Sequence, residues 1–132
     1  MTLAPCKNPC GSCPYRQDVP SGVWAAEEYE KLPEYDEDTG NQPVGLFLCH
    51  QQDGHLCAGW AGTHDMDNTL AMRLAHHRMA GEEIEKTYDY VCPVPLWSSG
   101  REARDHGMAN LETPDDKARR TIEKLTRKLP VR

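Results

Sequence analysis

Five of the six cysteines fall in two short windows. Cys6, Cys10 and Cys13 lie in MTLAPCKNPCGSCPYR, and Cys49 and Cys57 flank HQQDGHL. This placement constrains the fold more than any other feature, because the chain has little else to hold it together. Its 132 residues are the length of one domain, so one metal-stabilised domain over residues 1–132 is expected. Only 38 % of the residues are hydrophobic, mean hydropathy is −0.75, and there is one Phe against three Trp and five Tyr. A core so short of large apolar side chains gains from a metal or a covalent staple. No run approaches the roughly 18 apolar residues of a membrane span, and no charged segment followed by an apolar one opens the chain. A cytoplasmic location is therefore expected, where clustered thiols are more often metal ligands or catalytic groups than disulfides.

Two residues between Cys10 and Cys13 let both sulfurs face one ion while the backbone turns. Alone, that pair is a weak signal. VGLFLCH, between Pro43 and the Asp53-Gly54 turn signal, reads as a strand, with HLCAGW as its hairpin partner. A three-residue loop Gln52–Gly54 sets Cys49 opposite Cys57, with Cβ atoms about 5 Å apart. A two-residue Asp53-Gly54 turn sets His50 opposite Cys57 instead. Either register supplies a second ligand pair. The expected metal site is thus Cys10, Cys13, Cys49 and Cys57, with Cys6, His50 and His55 in reserve.

The motifs CGSCPYR (Cys10–Arg16), LCH (Leu48–His50) and CAGW (Cys57–Trp60) carry a resemblance. With DVPSGVWAAEEYEKL and HDMDNTLAMRLA, the chain resembles an uncharacterised family of small proteins from actinobacteria and their phages. The similarity spans most of the chain. It implies Cys10, Cys13, Cys49 and Cys57 as the shared cysteines, leaves Cys6 and Cys92 outside the motif, and brings no established activity. It also implies a phage or actinobacterial protein, acting in the bacterial cytoplasm.

Zinc suits four thiolates in a small domain, since such a site contributes directly to folding. A [4Fe-4S] cluster stands level with it, because Cys6-x3-Cys10-x2-Cys13-Pro14 has the crowded, proline-flanked form of cluster loops. The same spacing resembles the radical SAM signature, but the chain is too short for that barrel. A thioredoxin-type dithiol needs a strand before it, and the nine residues preceding Cys10 contain none.

The remaining pattern is helical. Ser21 is positioned to cap GVWAAEEYEKL, which Pro33 ends, and the acidic PEYDEDTGNQP follows as a loop. DMDNTLAMRLAHHRMAG is the longest helical stretch, with Met66, Leu70, Leu74 and His77 as its apolar stripe. EEIEKTYDY reads as a short helix and VCPVPLW as an extended linker. Ser99-x-x-Glu102 has capping-box spacing for a helix closed by Gly107. Thr113 and Pro114 open a last helix at about residues 113–129, with Ala118, Ile122, Leu125 and Leu129 on its apolar face. The expected fold is α+β and mostly helical: an N-terminal cysteine loop and a small β-hairpin closing one metal site, packed by three to five helices.

Bland roles are expected for several polar residues. Asp65 and Asp67 cap the helix after His64, His76 and His77 lie on its flank, and His106 meets the end of its own helix. Arg16 pairs with the acidic loop. Cys92 behaves as a small apolar residue, and Trp60 and Trp97 belong to the core or shield the metal.

The net charge of −6 divides unevenly. Residues 117–132 carry seven Lys/Arg and one acid, and residues 1–116 carry eight Lys/Arg and twenty acids. Lys117, Arg120, Lys124 and Arg127 share one helix face, which suits nucleic acid or a host protein. The leading expectation is a small metal-binding regulatory or interaction protein without catalysis. The alternatives are a [4Fe-4S] protein with a redox or enzymatic role and a structural phage component. No nucleophile–base pair, P-loop or dinucleotide fingerprint occurs, so no small-molecule substrate or enzyme class follows.

Overall fold

A computed structural model describes residues 4–49, 55–78 and 82–128. These contain six α-helices: α1 (Ala26–Glu30), α2 (Ala58–Thr63), α3 (Leu70–Arg78), α4 (Glu82–Tyr88), α5 (Gly100–Met108) and α6 (Asp116–Lys128). Short 3-10 turns occupy Leu32–Asp36, Thr39–Asn41 and Met66–Asn68. Among the described residues, no helix is long and apolar enough to cross a membrane.

The protein is mostly helical, as expected, but the described residues form no small hairpin. The described residues hold only isolated bridges, with Leu56 between Pro5 (parallel) and Leu48 (antiparallel), and Arg16 opposite Leu96. Cys49 N donates to His55 O at 2.9 Å and Cys57 N to Phe47 O at 2.9 Å. Cys49 therefore lies opposite His55, and neither expected register occurs. The return segment is extended only as far as Cys57, which is the N-cap of α2 (φ −65, ψ 117). The run AGWAGT coils there because its small residues permit a close approach. A Cβ on Gly59 would lie 2.5 Å from Cys13 Sγ and 2.7 Å from Tyr15 Cβ. His50 and the Gln52–Gly54 loop fall outside the described residues.

The first helix starts later than expected. Ser21 is not its cap: the buried hydroxyl donates to Gly107 O at 3.1 Å and accepts from Asn110 N at 2.9 Å. The Tyr29 hydroxyl instead accepts from Val23 N and Trp24 N, both at 3.1 Å, and α1 begins at Ala26. Gly22 (φ +80) makes the turn over the end of α5, where any Cβ would lie 2.5 Å from Asn110 O. Pro33 does not end the helical path. It sits in the first positions of the Leu32–Asp36 turn, where its missing N–H costs nothing. The acidic loop is thus two 3-10 turns, with Leu32 and Tyr35 buried.

Local signals fare better. Asp65 accepts from Asp67 N at 3.1 Å and caps the Met66–Asn68 turn. Ser99 accepts from Glu102 N at 3.1 Å, while Glu102 reaches back to Ser98 rather than to Ser99. Gly107 lies inside α5 rather than at its end, because only a hydrogen fits beneath the Tyr29 ring. In α3 the buried face is Ala71, Met72 and Ala75, joined by Met66, and His77 is exposed. α6 starts at Asp116, and Asp115 Oδ1, not Thr113, closes its first turn by accepting from Ala118 N at 2.7 Å.

The main core gathers Trp60, Tyr15, Tyr29, Leu32, Leu56 and Met72, and Cys13 and Cys57 belong to it. Ala118, Ile122 and Leu125 of α6 pack on Val19, Val23 and Trp24. Leu129 lies outside the described residues.

Candidate metal centre

The N-terminal loop descends in successive turns, with Cys13 N donating to Cys10 O at 3.0 Å and Arg16 N to Cys13 O at 3.1 Å. The first turn brings Cys10 and Cys13 to the same side. It is braced from behind by Trp24, whose indole N–H donates to Ser12 O at 2.8 Å. Arg16 braces it from below, donating to Pro9 O at 3.0 Å and gripping Asp18 with two 2.8 Å bonds. Its partner is therefore two residues away and not in the acidic loop.

These turns place the thiols against the Leu48–Leu56 bridge. Cys13 Sγ lies 3.8 Å from Cys57 Sγ. Cys10 interacts with both Cys13 and Cys49, and Cys6 packs and interacts with Cys49. Five sulfurs are thus linked pair by pair, Cys6 with Cys49, Cys49 with Cys10, Cys10 with Cys13 and Cys13 with Cys57. Among the described residues, no group of three or more His, Cys, Asp or Glu side chains already surrounds one point as a metal site does. The thiols are gathered by pairs.

Their ionisation is opposed from several sides. Burial, then the charge of Cys49, pushes Cys6 up to about 11. For Cys10, the hydrogen bond with Cys13 raises the pKa, and the one with Cys49 works against that rise. Cys13 is lowered by its bond to Cys10, but Cys57 and burial together carry it well above the ordinary thiol value. Tyr15, buried beside this pair, is raised by burial and then by Cys57 and Cys13. Desolvated thiols this close ionise together only when a positive charge joins them.

Two further groups make contacts of their own. His55 Nδ1 lies 3.2 Å from Ala4 O and ties down the N-terminal segment. Cys92 donates to Val94 O at 3.3 Å beside α2 and is only half-buried. The basic residues Lys117, Arg120, Lys124 and Arg127 line one exposed groove of about 520 Å³ along α6.

His64 has a role that sequence reasoning missed. It sits among Tyr15, Tyr35 and Trp60, with Nε2 3.3 Å from the Tyr15 hydroxyl and Nδ1 3.8 Å from Asp36. It lines an open cavity of about 470 Å³ with Asp36, Asp65, Ser98 and Arg101. No local pattern marks it, because its partners lie 49 and 28 residues away. Burial lowers its pKa below the ordinary 6.5, against the pull of Asp36. A histidine whose folded pKa is lowered stabilises the fold above its unfolded pKa, and that contribution is lost as pH falls below about 6.5. The urea midpoint is expected to drop between pH 7.5 and pH 5.5, and His64→Gln is expected to shrink that drop. An equal drop in the variant assigns it to other groups.

Fold and site together define a mostly helical protein with a cluster of buried and half-buried thiols. The chain belongs to a family of unknown function, DUF6283, whose model matches residues 5–127. No curated protein and no solved structure matches the chain.

Proposed function

We propose that this chain is a zinc-stabilised interaction module, in which Cys10, Cys13, Cys49 and Cys57 hold one Zn²⁺. The observation that carries this reading is the Cys13–Cys57 separation of 3.8 Å. Zn–S bonds of about 2.3 Å in a tetrahedron require sulfur–sulfur edges of about 3.8 Å. A [4Fe-4S] cluster sets its thiolates much further apart, around a body of iron and sulfide. The alternative of a redox or enzymatic cluster protein therefore has less support than zinc. Four thiolates leave no open coordination position, so the metal's role is to fold the chain rather than to catalyse. Motif resemblance supports an actinobacterial or phage source.

Cobalt(II) titrated into the reduced, metal-free chain tests the geometry. Saturation at one equivalent, with strong visible bands and sulfur-to-cobalt charge transfer, is expected of a tetrahedral thiolate site. Weak bands of an octahedral ion would count against it.

The interaction surface of this module is the basic face of α6, and its partner is the phosphate backbone of nucleic acid. Lys117 also donates to Asp18 O, and Arg127 pairs with Glu123. Arg120 and Lys124 stand exposed, without a partner among the described residues. The double variant Arg120→Ala, Lys124→Ala is expected to weaken binding to a random-sequence DNA duplex about tenfold or more. It should also reduce the slope of log affinity against log salt by about one per side chain removed. Unchanged binding, or no binding by the intact chain, contradicts this interface.

A further inference from the structure

A tetrahedral thiolate site takes four sulfurs, and the cluster holds five. Cys6 is the sulfur left over. It is nonetheless 6 % exposed and packs with Cys49 and Ala58. The backbone holds it there, because Pro5 bridges to Leu56 and Ala4 O meets the His55 ring. Cys49 likewise follows a residue, Leu48, that bridges to Leu56 from its other side. The two thiols are thus delivered to each other by neighbouring segments. Lys7, Asn8 and Gly11 around them are exposed, so the cluster is one layer beneath the surface.

We propose that Cys6 is the resolving thiol of an oxidation site, forming a disulfide with Cys49 that withdraws Cys49 from the metal and releases the ion. The oxidant is a hydroperoxide. The Cys49 thiolate attacks the peroxide oxygen, the O–O bond breaks, and with hydrogen peroxide the departing hydroxide takes a proton from solvent and leaves as water as Cys49 becomes a sulfenic acid. Cys6 then attacks that sulfur, the S–S bond forms, and the hydroxyl leaves with the Cys6 proton as a second water. One thiolate and one thiol are oxidised to one disulfide while one peroxide, with one proton from solvent, is reduced to two waters. Cys10, Cys13 and Cys57 remain together, one ligand short of a closed site. Metal release rests on the zinc reading, and the disulfide itself does not.

The full chain, loaded with one equivalent of zinc, is treated with hydrogen peroxide beside a chromogenic zinc chelator, and the products are mapped by peptide mass. The expected result is zinc release together with a Cys6–Cys49 linkage, reversed by a dithiol. Cys6→Ser should bind one zinc and release it at least tenfold more slowly, with Cys6→Ala carried in parallel should the serine fail to fold. Cys92→Ser should release zinc at the parent rate. Release by both Cys6 variants as fast as by the parent, or a linkage mapped to another pair such as Cys13–Cys57, overturns the proposal. A chain that binds no zinc defeats the metal reading, and the linkage is then decided by mapping alone.

Discussion

Cys13→Ser is expected to abolish stoichiometric zinc binding and to leave the chain largely unfolded under conditions where the parent is folded. Cys13 is 1 % exposed and touches two of its proposed co-ligands. It also packs in the main core, against the backbone of α2 at Gly59. A hydroxyl in that place is a poor ligand for zinc and an awkward group to bury. Structural zinc contributes roughly 10–16 kcal/mol of apparent binding free energy to small domains, whereas whole domains are stable by about 5–15 kcal/mol. Weakening that metal site therefore consumes most of the stability available. Zinc content and far-ultraviolet circular dichroism read both consequences. Cys92→Ser is the control, since its thiol donates to Val94 O and meets Tyr90 from a half-buried position. Its cost should stay within about 1 kcal/mol. Equal zinc content in the parent and Cys13→Ser would show that this thiol is not a ligand.

The second large effect lies away from the thiols. Gly100→Ala is expected to destabilise the fold by about 3 kcal/mol or more, beyond the usual cost of an overpacked core. A Cβ at this position lands on the Leu32 carbonyl, 2.5 Å from its carbon, and 3.1 Å from Pro33 N. These are backbone atoms, so no rotamer change relieves the clash. α5 must instead move off the Leu32–Asp36 turn. That motion also breaks the Asp36 carboxylate from Gly100 N and Arg101 N, which it now holds at 2.7 and 2.8 Å. Gly40→Ala and Gly45→Ala have open space at the added methyl and should change stability by less than about 0.5 kcal/mol. Urea unfolding of the three variants separates these outcomes, and a Gly100→Ala midpoint equal to the controls would show that α5 does not sit where the structure has it.

What was legible in the sequence was what its neighbours decide. Ser99 caps α5 because the N–H it accepts from is three residues away, and Asp65 caps its turn through an N–H two residues away. Cys10 and Cys13 share a side because two residues between them make one turn. Ser21 has the same capping chemistry as Ser99, yet its hydroxyl is taken by Gly107 and Asn110, from the far end of α5. Nothing near Ser21 in the chain announces that competition. The hairpin failed for a related reason. A short apolar run between Pro43 and the Asp53-Gly54 turn signal suggests two strands, but close packing of Gly59 on Cys13 and Tyr15 turns the second into helix at Ala58. The thiols meet all the same, because the single Leu48–Leu56 pairing suffices to set Cys49 and Cys57 on one face. In the sequence His64 belongs to a superficial carboxylate–histidine pattern with Asp65 and Asp67, which read better as caps. Its Tyr15 and Asp36 partners come from two other segments.

The central claim is that four thiols close around one zinc ion. Its most direct test is the metal and sulfide content of the full chain purified without oxygen. A colourless protein with one zinc per chain and no acid-labile sulfide is the predicted result. A brown protein carrying iron and sulfide in equal amounts, or a folded chain with no metal at all, would contradict it.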